Sequence, residues 1–186
     1  MGKEAKTNAM RILERAKVAY TAHEYPHEEG VAVDGIHVAQ SLGEDPACVY
    51  KTLVTQGASR NYFVFVIPVA AELDLKAAAR SVGEKSVAMI HVADINKVTG
   101  YVRGGCSPVG MKKQYTTVFD ESVLAQEKVY VTGHDGADYF LRTPLSRLWR
   151  QLPHRGSHWQ TGQVCTLSPY GSHAAGPCSH WQQLPA

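Results

Sequence analysis

Cysteine is sparse and nowhere paired in this sequence: Cys48, Cys106, Cys165 and Cys178 form no C-x-x-C. Neither a zinc site nor a disulfide framework is expected, and a reducing compartment would leave all four as thiols. Long apolar runs are missing as well. No stretch approaches the roughly 18 to 20 apolar residues that cross a bilayer as a helix. The opening MGKEAKTNAMRILERAK is polar and periodic, not built round an apolar segment, so the expectation is a cytoplasmic protein with no signal peptide and no membrane contact. Charge of one sign is also slight. With a formal net charge of only +2, any nucleic-acid partner must be met by a local basic cluster. Neither G-x-G-x-x-G nor G-x-x-x-x-G-K-[ST] occurs, which argues against a phosphate-loop nucleotide site.

A further absence is regional. From about His134 the chain holds no Lys, Glu, Ile or Met, yet it carries all three Trp and five of the nine His. Residues 153–186, rich in Gly, Pro, Ser, His and Gln, are expected to be a disordered tail, with 145–152 as the one further helical stretch. Residues 1–152 then make a single domain, in keeping with a length of 186 residues and a composition that is 44% hydrophobic and 19% charged.

What is present alternates between two periodicities. Ala9, Ile12, Leu13 and Ala16 recur at helical spacing behind Thr7, a good N-cap, so a helix is predicted from about Asn8 to Lys17. Thr21 to Tyr25 reads as a short strand. A helix should follow from Asp34 through Val38 and Leu42 to Gly43, and Asp45-Pro46 opens another turn. Val49 to Thr55 and Tyr62 to Val69, rich in β-branched and aromatic residues, predict an antiparallel hairpin whose second strand, apolar on both faces, lies inside a sheet. Leu75 to Val82 and Val92 to Val98 predict helices flanking a strand at Ser86 to Ile90. Val118-Phe119 and Val129 to Thr132 are candidate strands. Without strict βαβ alternation, the fold class is α+β with a curved mixed or antiparallel sheet.

Three features could carry chemistry. Lys51 interrupts the apolar run Val49 to Val54, where a lysine either snorkels to solvent or has a buried partner. The segment GYVRGGCSPVG, residues 100–110, holds four Gly and one Pro. Its backbone can approach a ligand closely and offer N–H groups to developing negative charge, or it can be a plain tight turn. Cys48 and Cys106 are the candidate nucleophiles, with His23, His27, His37 and His91 as candidate bases, but they read as ordinary small residues, one in a core turn and one beside the loop.

HEYPHEE (23–29), DPACVYKTLV (45–54), VIPVAAELDLKAAA (66–79) and TGYVRGGCSPVGMKK (99–113), taken in that order, resemble the YbaK/EbsC family of aminoacyl-tRNA deacylases, related to the editing domain of bacterial prolyl-tRNA synthetases. The resemblance covers residues 7–133. It implies a single α/β domain with a barrel-like mixed sheet surrounded by helices, and a pocket between the lysine and the glycine loop. By position, Lys51 is the essential lysine. Tyr25 and Thr52 line the pocket, and the backbone of Gly104, Gly105 and Ser107, with Gly110 closing the loop, cradles the substrate. No cofactor is implied. The activity implied is hydrolysis of mischarged Cys-tRNA(Pro), classed as a lyase where the cysteinyl thiol attacks its own ester. Alternatives are removal of alanine from tRNA(Pro), or a non-catalytic module that binds tRNA or a synthetase. The partners implied are aminoacyl-tRNA and prolyl-tRNA synthetase, with Arg103, Lys112 and Lys113 as candidate phosphate contacts.

The resemblance also implies an acidic residue after the strand VYVTG, for which Asp138 is the nearest candidate. The family's closing strand and helix are not recognisable after Gly133. Residues from about 134 therefore read as foreign to the family, as a shifted reading frame would produce, and the sheet is expected to lose a closing strand and expose an edge.

Overall fold

A computed structural model describes residues 6–24, 35–132 and 139–144. The predicted elements form close to the expected bounds. Helix α1 spans Asn8–Arg15, capped by Thr7, whose Oγ1 accepts from Met10 N at 3.2 Å, satisfying an otherwise orphan helix donor. Strand β1 is Thr21–Glu24, and α2 is Gly35–Leu42. Asp45 caps a 3-10 turn at Pro46–Cys48, which leads into β2, Val49–Gly57. Strand β3, Tyr62–Pro68, returns antiparallel to it. Helix α3, Leu75–Ser81, is capped by Asp74; β4 is Val87–Met89, and α4 is Val92–Thr99. Strand β5 is Thr116–Phe119, and Asp120 caps a second 3-10 turn at Glu121–Ala125 that the periodicity does not announce. Strands β6, Lys128–Thr132, and β7, Tyr139–Pro144, complete the sheet.

The sheet runs β1-β7-β6-β2-β3-β5, with β4 paired to the far end of β2. It is mixed: β2 pairs parallel with β6 and β3 with β5, the remaining ladders being antiparallel. Strand β3 lies between two neighbours, as its apolar faces require. Among the described residues the path is open, since β1 and β5 lie at its two ends and do not pair. One expectation fails here. A closing strand exists: β7 inserts between β1 and β6, so among the described residues the edge of β6 is covered rather than bare. Residues with β-branched or aromatic character, such as Tyr139, Phe140 and Thr143, suit a pleated ladder even without Ile or Glu. The helix expected at 145–152, and the tail beyond it, lie outside the described residues.

Strand alternation divides the interior into two. On one face Tyr50, Val54, Val64, Val66, Phe119 and Val131 pack with Ala9, Met10 and Leu13 of α1 and with Tyr101, Cys106 and Val109 of the glycine loop. On the other, Val49, Val69 and Tyr130 pack under Val38 and Ala39 of α2, while Phe63, Phe65 and Val118 pack under Ala78 and Ala79 of α3. Each such fully buried side chain the size of Val or Phe contributes about 1.5–3 kcal/mol.

Candidate active site

Lys51 and Thr52 point to opposite faces of β2 because they are consecutive strand residues. Lys51 lies opposite Ile67 on β3, between Val49, which packs under α2, and Leu53, which packs against the α3 cluster. It therefore emerges where the two helices part. It is half-buried, and its Nζ donates to the carbonyl of Val69 at 3.0 Å, so it has a partner instead of extending freely into solvent. Among the described residues it has no carboxylate partner. Val69 in turn abuts the start of α2: a Cβ on Gly35 would fall 2.5 Å from Val69 Cγ1, so only glycine lets the helix begin this close.

Thr52 lies opposite Val66, on the face that carries the glycine loop. Its Oγ1 is buried and has no hydrogen-bond partner, a costly arrangement unless a ligand group completes it. On the other face, His23 Nε2 is likewise buried and unpartnered, its ring tilted against Tyr130 with centroids 5.4 Å apart. Lys51 and Thr52 thus take opposite faces of β2, and Thr52 is the member of the pair that shares the loop's side. The two-residue period of a strand makes this unavoidable once Tyr50 is buried with α1 and the loop.

The loop itself is tightly built. Gly100 ends α4 at φ +87°, while Gly104 and Gly110 have φ of +84° and +82°. Tyr101 Oη donates to Val109 O at 2.5 Å across the loop, and Ser107 Oγ, fully buried, accepts from Val109 N at 3.2 Å. Gly105 N–H donates to Val102 O at 3.2 Å and is thereby committed inside the loop. The N–H groups of Gly104 and Ser107 donate to no backbone carbonyl among the described residues, and Gly104 is exposed. Of the four loop positions expected to cradle a substrate, these two retain the capacity. Gly110 has a structural part, because its carbonyl accepts from Asn8 Nδ2 at 2.7 Å.

The cysteines are placed as expected. Cys48 closes the 3-10 turn, with its thiol 2.9 Å from Asp45 O. Cys106 is buried beside the loop, and burial pushes its thiol up to about 12, opposed by a hydrogen bond with Thr99. Such a thiol stays protonated at neutral pH and is a poor nucleophile. Arg103, Lys112 and Lys113 are all exposed, and Lys112 Nζ donates to Asn96 O at 2.8 Å. Tyr25, Asp34 and Asp138 lie outside the described residues. Among those described, no three or more His, Cys, Asp or Glu are grouped to hold a metal ion, and no helix is long and apolar enough to cross a membrane. Sequence reading did not single out Asn8, Tyr101 or Val69. Their parts depend on backbone carbonyls distant in the chain, for which no side-chain pattern is a signal.

Residues 32–145 match the family model of the aminoacyl-tRNA editing domain. The match runs through β7, so the segment from 134 to 145, expected to be foreign, lies within the family's span. Over 129 residues, 69% of this chain and 78% of the other, the chain is 43% identical to an Enterococcus faecalis protein named "Putative Cys-tRNA(Pro)/Cys-tRNA(Cys) deacylase EbsC". Among solved structures it is similar to "a putative trans-editing enzyme for prolyl tRNA synthetase", with TM-score 0.67 and 22% identity over 78% of this chain and 89% of that one. It is similar in the same degree to the hypothetical protein APE2540, with TM-score 0.67 and 19% identity over 77% and 93%. At that identity the two structures bear on the fold alone.

Proposed function

We propose, from the premise that the chain belongs to the aminoacyl-tRNA editing domain family, that it is a deacylase cleaving the ester of mischarged Cys-tRNA(Pro) in trans during translation quality control. It works in the cytoplasm, downstream of a synthetase whose pocket cannot reject cysteine by size alone. The observation that carries this reading is the half-buried Lys51 ammonium held by a neutral carbonyl, with no carboxylate beside it among the described residues. A charge so held is not neutralised, and it favours the ester carbonyl oxygen as that oxygen gains negative charge in the tetrahedral state.

The substrate's own thiol attacks the ester carbon to form a cyclic thiolactone as the C–O bond to the ribose breaks, the thiol proton passes to the ribose oxygen, and water then opens the ring to give free cysteine. No enzymatic nucleophile is required, in keeping with the protonated Cys106. Thr52 and the amides of Gly104 and Ser107 orient the aminoacyl end, and Tyr25 lines the same site. The sheet curves round it in a barrel-like form. Prolyl-tRNA synthetase supplies much of the tRNA affinity, with Arg103 and Lys113 meeting phosphates. The test is a deacylation panel of purified protein against cysteinyl-, alanyl- and prolyl-tRNA(Pro). Fastest release of cysteine with proline spared is expected; preference for alanine would reassign the substrate, and no release from any would overturn the enzymatic reading.

A further inference from the structure

The glycine loop is fixed from outside at two places by residues that the proposed chemistry does not use. Lys112 ties it to the end of α4. Its backbone N–H donates to Thr99 O at 2.9 Å, and its Nζ donates to Asn96 O at 2.8 Å, while its stem lies where a Cβ on Gly100 would be 3.0 Å from Cγ. Further carbonyls of the last turn of α4 are taken up by Tyr115 Oη, on Val98 O at 2.8 Å, and by Thr99 Oγ1, on Ile95 O at 2.8 Å. A lysine cation at a helix C-terminus also meets the negative end of the helix dipole. Asn8, 102 positions away on α1, holds the other end through Gly110 O at 2.7 Å. A Cβ on Gly110 would lie 2.7 Å from that Nδ2 and 2.9 Å from Tyr101 Oη, so the turn is closed on both sides.

We infer that Asn8 and Lys112 are positioning residues that hold the glycine loop in its reactive geometry, and that Lys112 acts through the α4 terminus and not as a tRNA phosphate contact. The inference rests on the deacylase reading and deepens it. An uncharged side chain on a different helix should then give the same kinetic signature as the lysine, which a phosphate-binding role for Lys112 does not allow.

The experiment compares the full chain with Lys112→Met, Lys112→Arg and Asn8→Ala, measuring deacylation of cysteinyl-tRNA(Pro) across a salt series and amide exchange over residues 100–111. Lys112→Met and Asn8→Ala should each lower kcat roughly tenfold with KM within about twofold, as displacement of positioned groups does. Lys112→Arg, which keeps a cation at the helix end, should restore most of the rate. Exchange in the loop should quicken in both impaired variants, and the salt dependence should match the parent. An unchanged kcat for Lys112→Met, with a raised KM and a salt slope smaller by about 0.7–0.9, would make Lys112 a phosphate contact and overturn the inference. Unchanged loop protection in both variants would overturn it as well. If the parent releases no amino acid, the deacylase reading fails, and the exchange measurement alone still decides the clamp.

Discussion

The Lys51 ammonium is bound to the carbonyl of Val69, at 3.0 Å across the β2–β3 hairpin. One acceptor from the end of the partner strand fixes where the charge sits, and Val69 is itself fixed by its N–H donating to Val49 O at 2.9 Å. The position of the cation is thus a property of the hairpin, while its charge remains available.

Lys51→Ala should therefore abolish chemistry without unfolding the protein. Deacylation of cysteinyl-tRNA(Pro) is expected to fall at least about 100-fold, the scale of losing one electrostatic donor to a tetrahedral intermediate. Urea denaturation should show a loss below about 2 kcal/mol, since the side chain is only half-buried. Equal turnover in mutant and parent would remove Lys51 from the site, and a larger stability loss would make it a structural lysine.

Gly35 and Gly43 flank the same helix and should respond differently to alanine. At Gly35 the added methyl meets Val69 Cγ1 at 2.5 Å and Cβ at 2.7 Å, forcing α2 and the Lys51 acceptor apart. Overpacking of this kind costs about 1–3 kcal/mol and should lower activity as well. At Gly43, with φ +68° and nothing within 4 Å, only the left-handed backbone resists, costing about 1–2 kcal/mol, and activity should survive. Equal activity losses in the two variants would disconnect the α2 terminus from Lys51.

Cys106→Ser and Cys48→Ser should both retain activity, because in the proposed mechanism the attacking thiol belongs to the substrate. Seryl-tRNA(Pro), which lacks it, should be a much poorer substrate. The Cys106 thiol is raised by burial from 9.0 to about 12 in the folded state. The folded protein thus keeps a proton that the unfolded chain gives up from pH 9, so this group leaves stability unchanged below pH 9 and reduces it as pH rises toward 12. Thermal unfolding of Cys106→Ala should show a weaker alkaline decline than the parent. An identical decline, or a covalent cysteinyl adduct on either residue, would contradict this account.

Much of this was legible in the sequence where one side chain declares its own environment. Thr7 and Asp45 each precede a helical turn and each accepts from its backbone, so short-range capping chemistry located those starts. The apolar run from Tyr62 to Pro68 placed β3 in the interior. The motifs around Lys51 and the glycine loop named the candidate residues, but not which face of β2 each takes. Which face each strand residue takes depends on which neighbours are buried, and that is decided by tertiary packing. Strand β7 does not declare itself in the sequence for a related reason: a ladder between two strands needs only backbone groups and tolerable side chains, not a family pattern.

The last prediction concerns that strand. Strand β1 pairs only with β7 among the described residues, and β7 also completes one side of β6, whose Val129, Tyr130 and Val131 are buried. Ending the chain after residue 133 would strip both ladders, expose an unpaired edge and uncover His23 beside Tyr130. That truncation should aggregate or unfold without a cooperative transition. Ending it after residue 152 keeps β7 and removes only a segment without Lys, Glu, Ile or Met, so the thermal midpoint and deacylation should match the full chain. Limited proteolysis of the full chain should likewise spare the segment from Thr7 to Pro144. A folded, active protein ending at residue 133 would show that β7 contributes nothing to the domain. Unfolding of the protein ending at residue 152 would instead show that the final 34 positions complete its core.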